Sequence, residues 1–365
     1  MSNVYGDAGV DYDALDRAKR KAIKTASETD GLLEAHGGRS LPGSRGEPAF
    51  SFTLDDQGYA FVLECLGTKS VLARRYHEDA GTNLFHNVGY DAVAAIVNDL
   101  ICVGALPLVI TAYFSTGHAS WYSNEDRFSS LVDGWAAGCR DAGATWGGGE
   151  SPSLPGLVSA EDIELAGSAI GRIPSDRTAL LGDGLAAGDD IVLVASSGLH
   201  ANGASLVRAV AEKESKGLAA ELPSGRTLGE AALDASLIYV DLVKELLTSS
   251  VEVTYLSHIT GHGLRKVMRP AHTFTYRLSQ LLPVPEVLTF ISDRLDMNDE
   301  DSYGTFNMGC GFAIYCASGS GSKVVETARS VGLEAIVAGT VEEGPRQVIL
   351  EPLGVTYSSE SLSLR

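Results

Sequence analysis

Paired cysteines, long apolar runs and positive charge are all scarce in this 365-residue chain. The five cysteines, Cys65, Cys102, Cys139, Cys310 and Cys316, are odd in number, widely spread and form no CxxC pair. This excludes the usual zinc spacing and a disulfide framework, and it fits a reducing cytosol. No stretch reaches the roughly 18 consecutive apolar residues of a membrane span. The opening MSNVYGDAGVDYDALDRAKRKA lacks the apolar core of a signal peptide. A cytoplasmic protein is therefore expected. Lys plus Arg number 28 against 47 Asp plus Glu, a net charge of −19. Such an excess repels phosphate backbones and anionic lipid, so neither nucleic acid nor a membrane surface is an expected partner. A small anionic ligand stays possible, because local cations and helix N-termini outweigh a distant field. Also missing are a GxxxxGKS/T phosphate loop, a GxGxxG between strand and helix, and HExxH. A nucleotide, if bound, is held by another device.

What is present describes a globular protein: 44% hydrophobic and 21% charged residues, enough for core burial to drive folding. The length predicts two domains of similar size. Residues 59–64 and 108–114 read as strands, 91–102 and 128–139 as helices, and 147–149 as a glycine break. The second helix-like stretch carries Phe128, Leu131, Val132, Trp135 and Cys139 at helical spacing. After a Pro- and Gly-containing linker at 172–184, the pattern restarts with a β-branched strand at 191–195 and a helix at 204–211. Strands and helices then alternate to 348–350. The reading is an α/β protein of two domains, 1–174 and 175–365.

Several segments could carry chemistry. Glu64 ends a strand, Gly67 and Thr68 turn the chain, and Lys69 follows, which would set a metal ligand beside a phosphate cation. The same residues fit a plain turn with a solvated lysine. Asp91 and Asn98 are two helical turns apart and share a face, with Asp99 beside them. These are candidate metal and phosphate groups, although Asp91 also suits a helix cap. Gly147, Gly148 and Gly149 permit close backbone approach to a ligand, and Glu150 adds a carboxylate; a flexible turn explains them equally. In the second half, the turn 196–203 places His200 and Asn202 before a helix N-terminus suited to an anion. His258 and His262 flank flexible glycines, with Arg265 and Lys266 just beyond.

Taken in order, these blocks resemble the aminoimidazole ribonucleotide synthetase family. Tyr5 to Asp11 is similar to the family's YxDAGVD, and Gly67-Thr68-Lys69 to the end of DGVGTK. Gly89-Tyr90-Asp91 through Leu100 resembles GxDLVAMxVNDL, and 104–108 resembles GAEPL. Gly148-Gly149-Glu150 with Pro155-Gly156 resembles GGETAEMPG, and 165–167 resembles DLAGF. Residues 196–208 are nearly SSGLHSNGYSLVR, 258–261 resemble HITGGG, and 305–309 resemble TFNxG. Glu64 and Cys65 replace Asp and Gly of the family, and His262 stands where HITGGG has its middle Gly.

The resemblance implies a two-domain α/β (α+β) fold unrelated to the ATP-grasp enzymes, with N-terminal domains pairing in a homodimer through the strands at 59–64 and 108–114. It implies ATP-dependent closure of an imidazole ring on a small phosphorylated substrate, with ATP and Mg²⁺. Carried onto this sequence, Glu64, Asp91, Asp99 and Glu150 serve the metal; Gly67, Thr68, Lys69, Asp91, Asn98, Gly148 and Gly149 serve the nucleotide; and Lys69, His200, Asn202 and His258 serve catalysis. Two rival readings use the same residues: a superfamily relative that phosphorylates another small amide or acid, and a nucleotide-binding protein without catalysis.

Overall fold

The computed structural model describes residues 12–362, so the YxDAGVD-like block at 5–11 lies outside the described residues. The first half forms a six-stranded mixed sheet in the order β1-β2-β3-β6-β4-β5. Its strands are β1 (Gly38–Ser40), β2 (Phe50–Leu54), β3 (Gln57–Cys65), β4 (Leu106–Thr116), β5 (Thr145–Glu150) and β6 (Ile163–Arg172). The helix α1 (Tyr12–Ser27) precedes the sheet; α2 (Lys69–Ala80), α3 (Phe85–Ile101) and α4 (Glu125–Asp141) are threaded between its strands.

Strand alternation fixes which face is covered. Along β3, Ala60 and Val62 are buried while Phe61 and Leu63 are exposed, as a period of two requires. The covered face packs on α3, which is buried on nearly every side. Such a helix has no solvent stripe because it is enclosed by the sheet, by α4 and by elements of the second half.

The second half forms a seven-stranded mixed sheet in the order β13-β12-β9-β11-β7-β10-β8. Its strands are β7 (Asp190–Ala195), β8 (Val253–His258), β9 (Phe274–Leu278), β10 (Cys310–Cys316), β11 (Ala335–Glu343), β12 (Gln347–Leu350) and β13 (Val355–Ser358). Every residue of β10 is buried, in keeping with its place between β7 and β8. The helices are α5 (Ala204–Ala211), α6 (Leu228–Ala232), α7 (Val240–Thr248), α8 (Glu286–Arg294), α9 (Asp299–Tyr303) and α10 (Gly321–Ser330). The halves meet along α2, which packs on α5 and α6, and along α3, which packs on α7 and β8.

Two local expectations change. Residues 147–149 are not a break but the middle of edge strand β5, parallel to β4. The strand runs so close that a Cβ on Gly149 would sit 2.0 Å from the Ala112 carbonyl oxygen. Glycine here serves close pairing. Helix α3 begins at Phe85 rather than at Asp91, which removes Asp91 from a capping position.

Candidate functional site

A cleft of about 530 Å³ opens where α1, the loop before β2, the end of β3, α3, the 196–203 turn and the 258–269 segment converge. Its walls carry Lys19, Arg45, Lys266 and Arg269 beside Glu47, Glu64 and Asp99. Locally these four cations outnumber the three acids, although the whole chain is strongly acidic.

Four of the sequence-predicted residues, Glu64, Asp99, Asn202 and His258, line this cleft. Glu64 stands at the end of β3 and hydrogen-bonds Asp99 on α3. Burial, together with the charge of Asp99, pushes its carboxyl up to about 8. Burial also pushes Asp99 up, but the hydrogen bond and charge of His258, with Lys266 and Arg269 behind it, hold Asp99 below the usual carboxylate range. His258 Nδ1 lies 2.6 Å from Asp99 Oδ1, so the carboxylate fixes the ring at the tip of β8. The two acids are thus split: Asp99 stays ionised while Glu64 holds its proton near neutrality.

The cations of the wall carry no motif signal apart from their nearness to the histidine turn. Lys266 donates to Thr260 Oγ1. Burial and the neighbouring Arg269 bring its ammonium down to about 8. Arg269 pairs with the buried Glu47 at 3.3 Å and donates to the Gly46 carbonyl at 2.9 Å, tying the loop before β2 to the second half. Tyr255 also donates to Glu47, at 2.7 Å. His262 adopts φ +74°, a left-handed conformation favouring glycine, at the position where the resembling motif has glycine. Burial and the charges of Lys266 and Arg265 lower it to about 3, so it lines the cleft as a neutral ring.

The other predicted residues are elsewhere. Lys69, expected on phosphates, is fully buried and sits 2.5 Å from Asp91, which is equally buried. Asn98, two turns on, bonds the backbone of Leu237 and Tyr239. Gly67 and Thr68 form the turn into α2, where Thr68 Oγ1 lies 3.5 Å from Ser205 Oγ of the second half. His200 is buried at φ +58°. Its Nε2 accepts from the Ser197 N–H at 3.1 Å, which leaves the ring proton on Nδ1. Burial first, then the charges of His258 and Lys69, keep it neutral.

Gly148, Gly149 and Glu150 lie exposed on edge strand β5, outside the cleft wall. The four carboxylates expected around one metal are therefore not gathered within a single chain. Asp91 is spent on Lys69, Glu150 is on the sheet edge, and only Glu64 and Asp99 meet. Among the described residues no three His, Cys, Asp or Glu side chains form a metal-binding group. Two adjacent carboxylates still fit magnesium, which takes one or two of them and completes its shell with water and phosphate oxygens.

The chain matches the model of the AIR synthase related protein N-terminal domain over residues 46–173, and that of its C-terminal domain over 186–350. A phosphoribosylformylglycinamidine cyclo-ligase of Anaeromyxobacter sp. is 35% identical over 355 residues, covering 96% of this chain and 99% of that one. One from Pyrococcus furiosus is 33% identical, covering 97% and 99%. Among solved structures, AaThiL complexed with AMPPCP and TMP superposes with a TM-score of 0.58 at 17% identity, covering 86% of this chain and 90% of that one. The E. coli hydrogenase maturation protein HypE gives 0.55 at 18% identity, covering 74% and 79%. At these identities the structures share the fold. No helix of the described residues is long and apolar enough to cross a membrane.

Proposed function

The chain belongs to the AIR synthase related family, and from that premise we propose that it is the ATP-dependent cyclo-ligase that converts formylglycinamidine ribonucleotide to aminoimidazole ribonucleotide. The observation that carries the reading is the cleft itself. It joins the Glu64–Asp99–His258 cluster to a cationic wall, in a chain similar over nearly its whole length to relatives bearing that name.

In this reading the amide oxygen of the substrate takes the γ-phosphoryl group and ADP leaves. A nitrogen of the same molecule then attacks the activated carbon, and inorganic phosphate departs with the former amide oxygen. Intramolecular attack needs little further ordering once both ends are held. The protein's part is mostly electrostatic. Lys266 and Arg269 attract the phosphates, while Asn202 at the lip of the 196–203 turn hydrogen-bonds the substrate. Asp99 orients His258 through Nδ1, and His258 Nε2 would exchange a proton with the ring-closing atoms. Glu64 and Asp99 would hold Mg²⁺, which supplies charge neutralisation on the transferred phosphoryl group.

The same proposal divides the chain into domains 1–174 and 175–365, a boundary that falls after the last strand of the first sheet and before the first of the second. The first domain brings the carboxylates and pairs with a second copy; the second completes the cleft. A cytosolic location is part of the same proposal.

The test is a product assay with ATP, Mg²⁺ and formylglycinamidine ribonucleotide, following the aromatic amine of aminoimidazole ribonucleotide by diazo coupling. Stoichiometric amine and ADP are expected. ADP released only with some other amide or acid as acceptor would replace this reading with that of a different kinase-like relative.

A further inference from the structure

Between α6 and α7, residues 233–239 form neither helix nor strand, yet their backbone is held at almost every step by side chains. Four of those side chains come from the first half. Asn87 donates to the Leu233 carbonyl at 2.8 Å, and Lys69 to the Asp234 carbonyl at 3.3 Å. The Ser236 N–H donates to Asp91 Oδ1 at 2.6 Å. Asn98 donates to the Leu237 carbonyl at 2.8 Å and accepts from the Tyr239 N–H at 3.0 Å. Asn87, Asp91 and Asn98 stand on α3 at spacings of four and seven, so one helix face grips the segment.

The opposite side of the segment is gripped by the 196–203 turn. Ser197 Oγ donates to the Ala235 carbonyl at 2.6 Å, and the Leu237 N–H points to His200 Nε2 at 3.4 Å. Tyr239 closes the set, its hydroxyl donating to the Ala195 carbonyl at 2.8 Å. The segment is thus a strap, fixed to α3 on one side and to the turn bearing Asn202 on the other.

We propose that Lys69, Asp91, Asn87 and Asn98 are positioning residues, a clamp that sets the strap, and through it the 196–203 turn, against the Glu64–Asp99 pair. Lys69 is neither exposed nor part of the cleft wall, and Asp91 neutralises it at 2.5 Å. A buried ion pair adds little stability over apolar packing, and its best-attested use is to fix a register. Directional bonds to successive peptide groups fix the strap in one register, where an apolar contact would let it slide. Cleft geometry then depends on residues that touch no ligand, and a displacement of about 1 Å there costs catalysis about 100-fold.

The test compares Lys69→Met with the double variant Lys69→Met/Asp91→Asn. The single change strands a buried carboxylate. The double change removes both charges and keeps an oxygen for the Ser236 N–H. Lys69→Met is expected to lose hydrogen-exchange protection across 233–239 and 196–203 and to melt about 10 °C lower. Its turnover should fall by about 100-fold. The double variant, which still lacks the Lys69 bond to the Asp234 carbonyl, is expected to regain most of the melting temperature and turnover and protection from 235 onward, with KM for ATP within about threefold of the parent.

Unchanged exchange in the single variant would overturn the clamp. So would a folded, protected double variant that stays as slow as the single one or shows a large rise in KM for ATP, since that result makes Lys69 a phosphate ligand. Should neither lysine variant fold, Asn98→Ala leaves the ion pair intact and is expected to lose protection at 237–239; full protection there would also overturn the proposal. The kinetic arm rests on the proposed reaction, whereas exchange and melting do not. A parent protein without cyclo-ligase turnover would remove the reaction and leave the clamp to be decided by the other two.

Discussion

Glu64 and Asp99 are neighbouring acids with opposite tendencies: burial pushes both up, and the partners of each decide where it ends. Asp99 faces His258, Lys266 and Arg269; Glu64 faces Asp99 itself, with Lys266 and Lys19 more weakly opposed. In the metal-free protein this has a consequence for stability. The folded-state pKa of Glu64, about 8, lies above its ordinary value of 4.5. Between those values the folded protein binds more protons than the unfolded chain, so stability falls as pH rises. The contribution is fully present below the ordinary value and is lost as pH passes the folded one. Lys266 works the other way above its lowered value of about 8, where rising pH favours the folded state. Glu64→Gln should therefore flatten the fall in denaturant midpoint between pH 5 and 8. The same slope in parent and variant would show that Glu64 titrates normally.

At the scale of elements, the motif glycine Gly89 has a packing role. A Cβ there would lie 2.1 Å from the Leu131 carbonyl oxygen of α4, and one on Gly134 would lie 1.8 Å from the His86 carbonyl oxygen of α3. The two helices meet backbone to backbone, which holds the face bearing Asp91 and Asn98 toward the second half. Gly134→Ala should force them apart and destabilise the protein by roughly 1–3 kcal/mol or more, the usual cost of overpacking. A thermal or denaturant midpoint equal to the parent's would show that the crossing has slack.

The periodic apolar residues of α3, Val93, Ile96, Val97, Leu100 and Ile101, announce a helix because spacing alone encodes it. Strand β5 is hidden, because Thr-Trp-Gly-Gly-Gly-Glu has almost no side chains to alternate and owes its form to its neighbour β4. Glu64, Asp99 and His258 are visible as candidates through their motifs, but their adjacency is created by folding. Lys69 and Asp91 look like ligands for the same reason. A charged residue in a glycine turn and one on a helix give no sign that each is the other's partner. Lys19, Glu47 and Arg269 have no local pattern, since their role comes from three distant segments meeting at one cleft.

Across the whole molecule, among the described residues, helices α2, α3 and α4 pack against strands of the first sheet. Its exposed face presents Leu63, 69% exposed, with Phe61 at 44% and Leu108 at 42%, on strands β3 and β4. The sheet register puts Phe61 beside Ile170 and Ile170 beside Val109, extending the apolar surface across three adjacent strands. A contiguous surface of this kind marks an interaction site. In the proposed reading its occupant is a second copy of the chain, whose equivalent face would meet it about a twofold axis, as most homo-oligomers do. That pairing would also cover the strand that bears Glu64, so association and site geometry would be linked through β3. Two charges placed on the face, in Phe61→Lys/Leu63→Lys, meet like charges across a twofold axis while leaving the buried side of the strand untouched. Sedimentation equilibrium should give twice the chain mass for the parent and the single-chain mass for the variant. Unchanged circular dichroism would show that the fold persists. A parent that sediments as a single chain at micromolar concentration would leave the face without this partner, and a variant that stays paired would move the interface elsewhere.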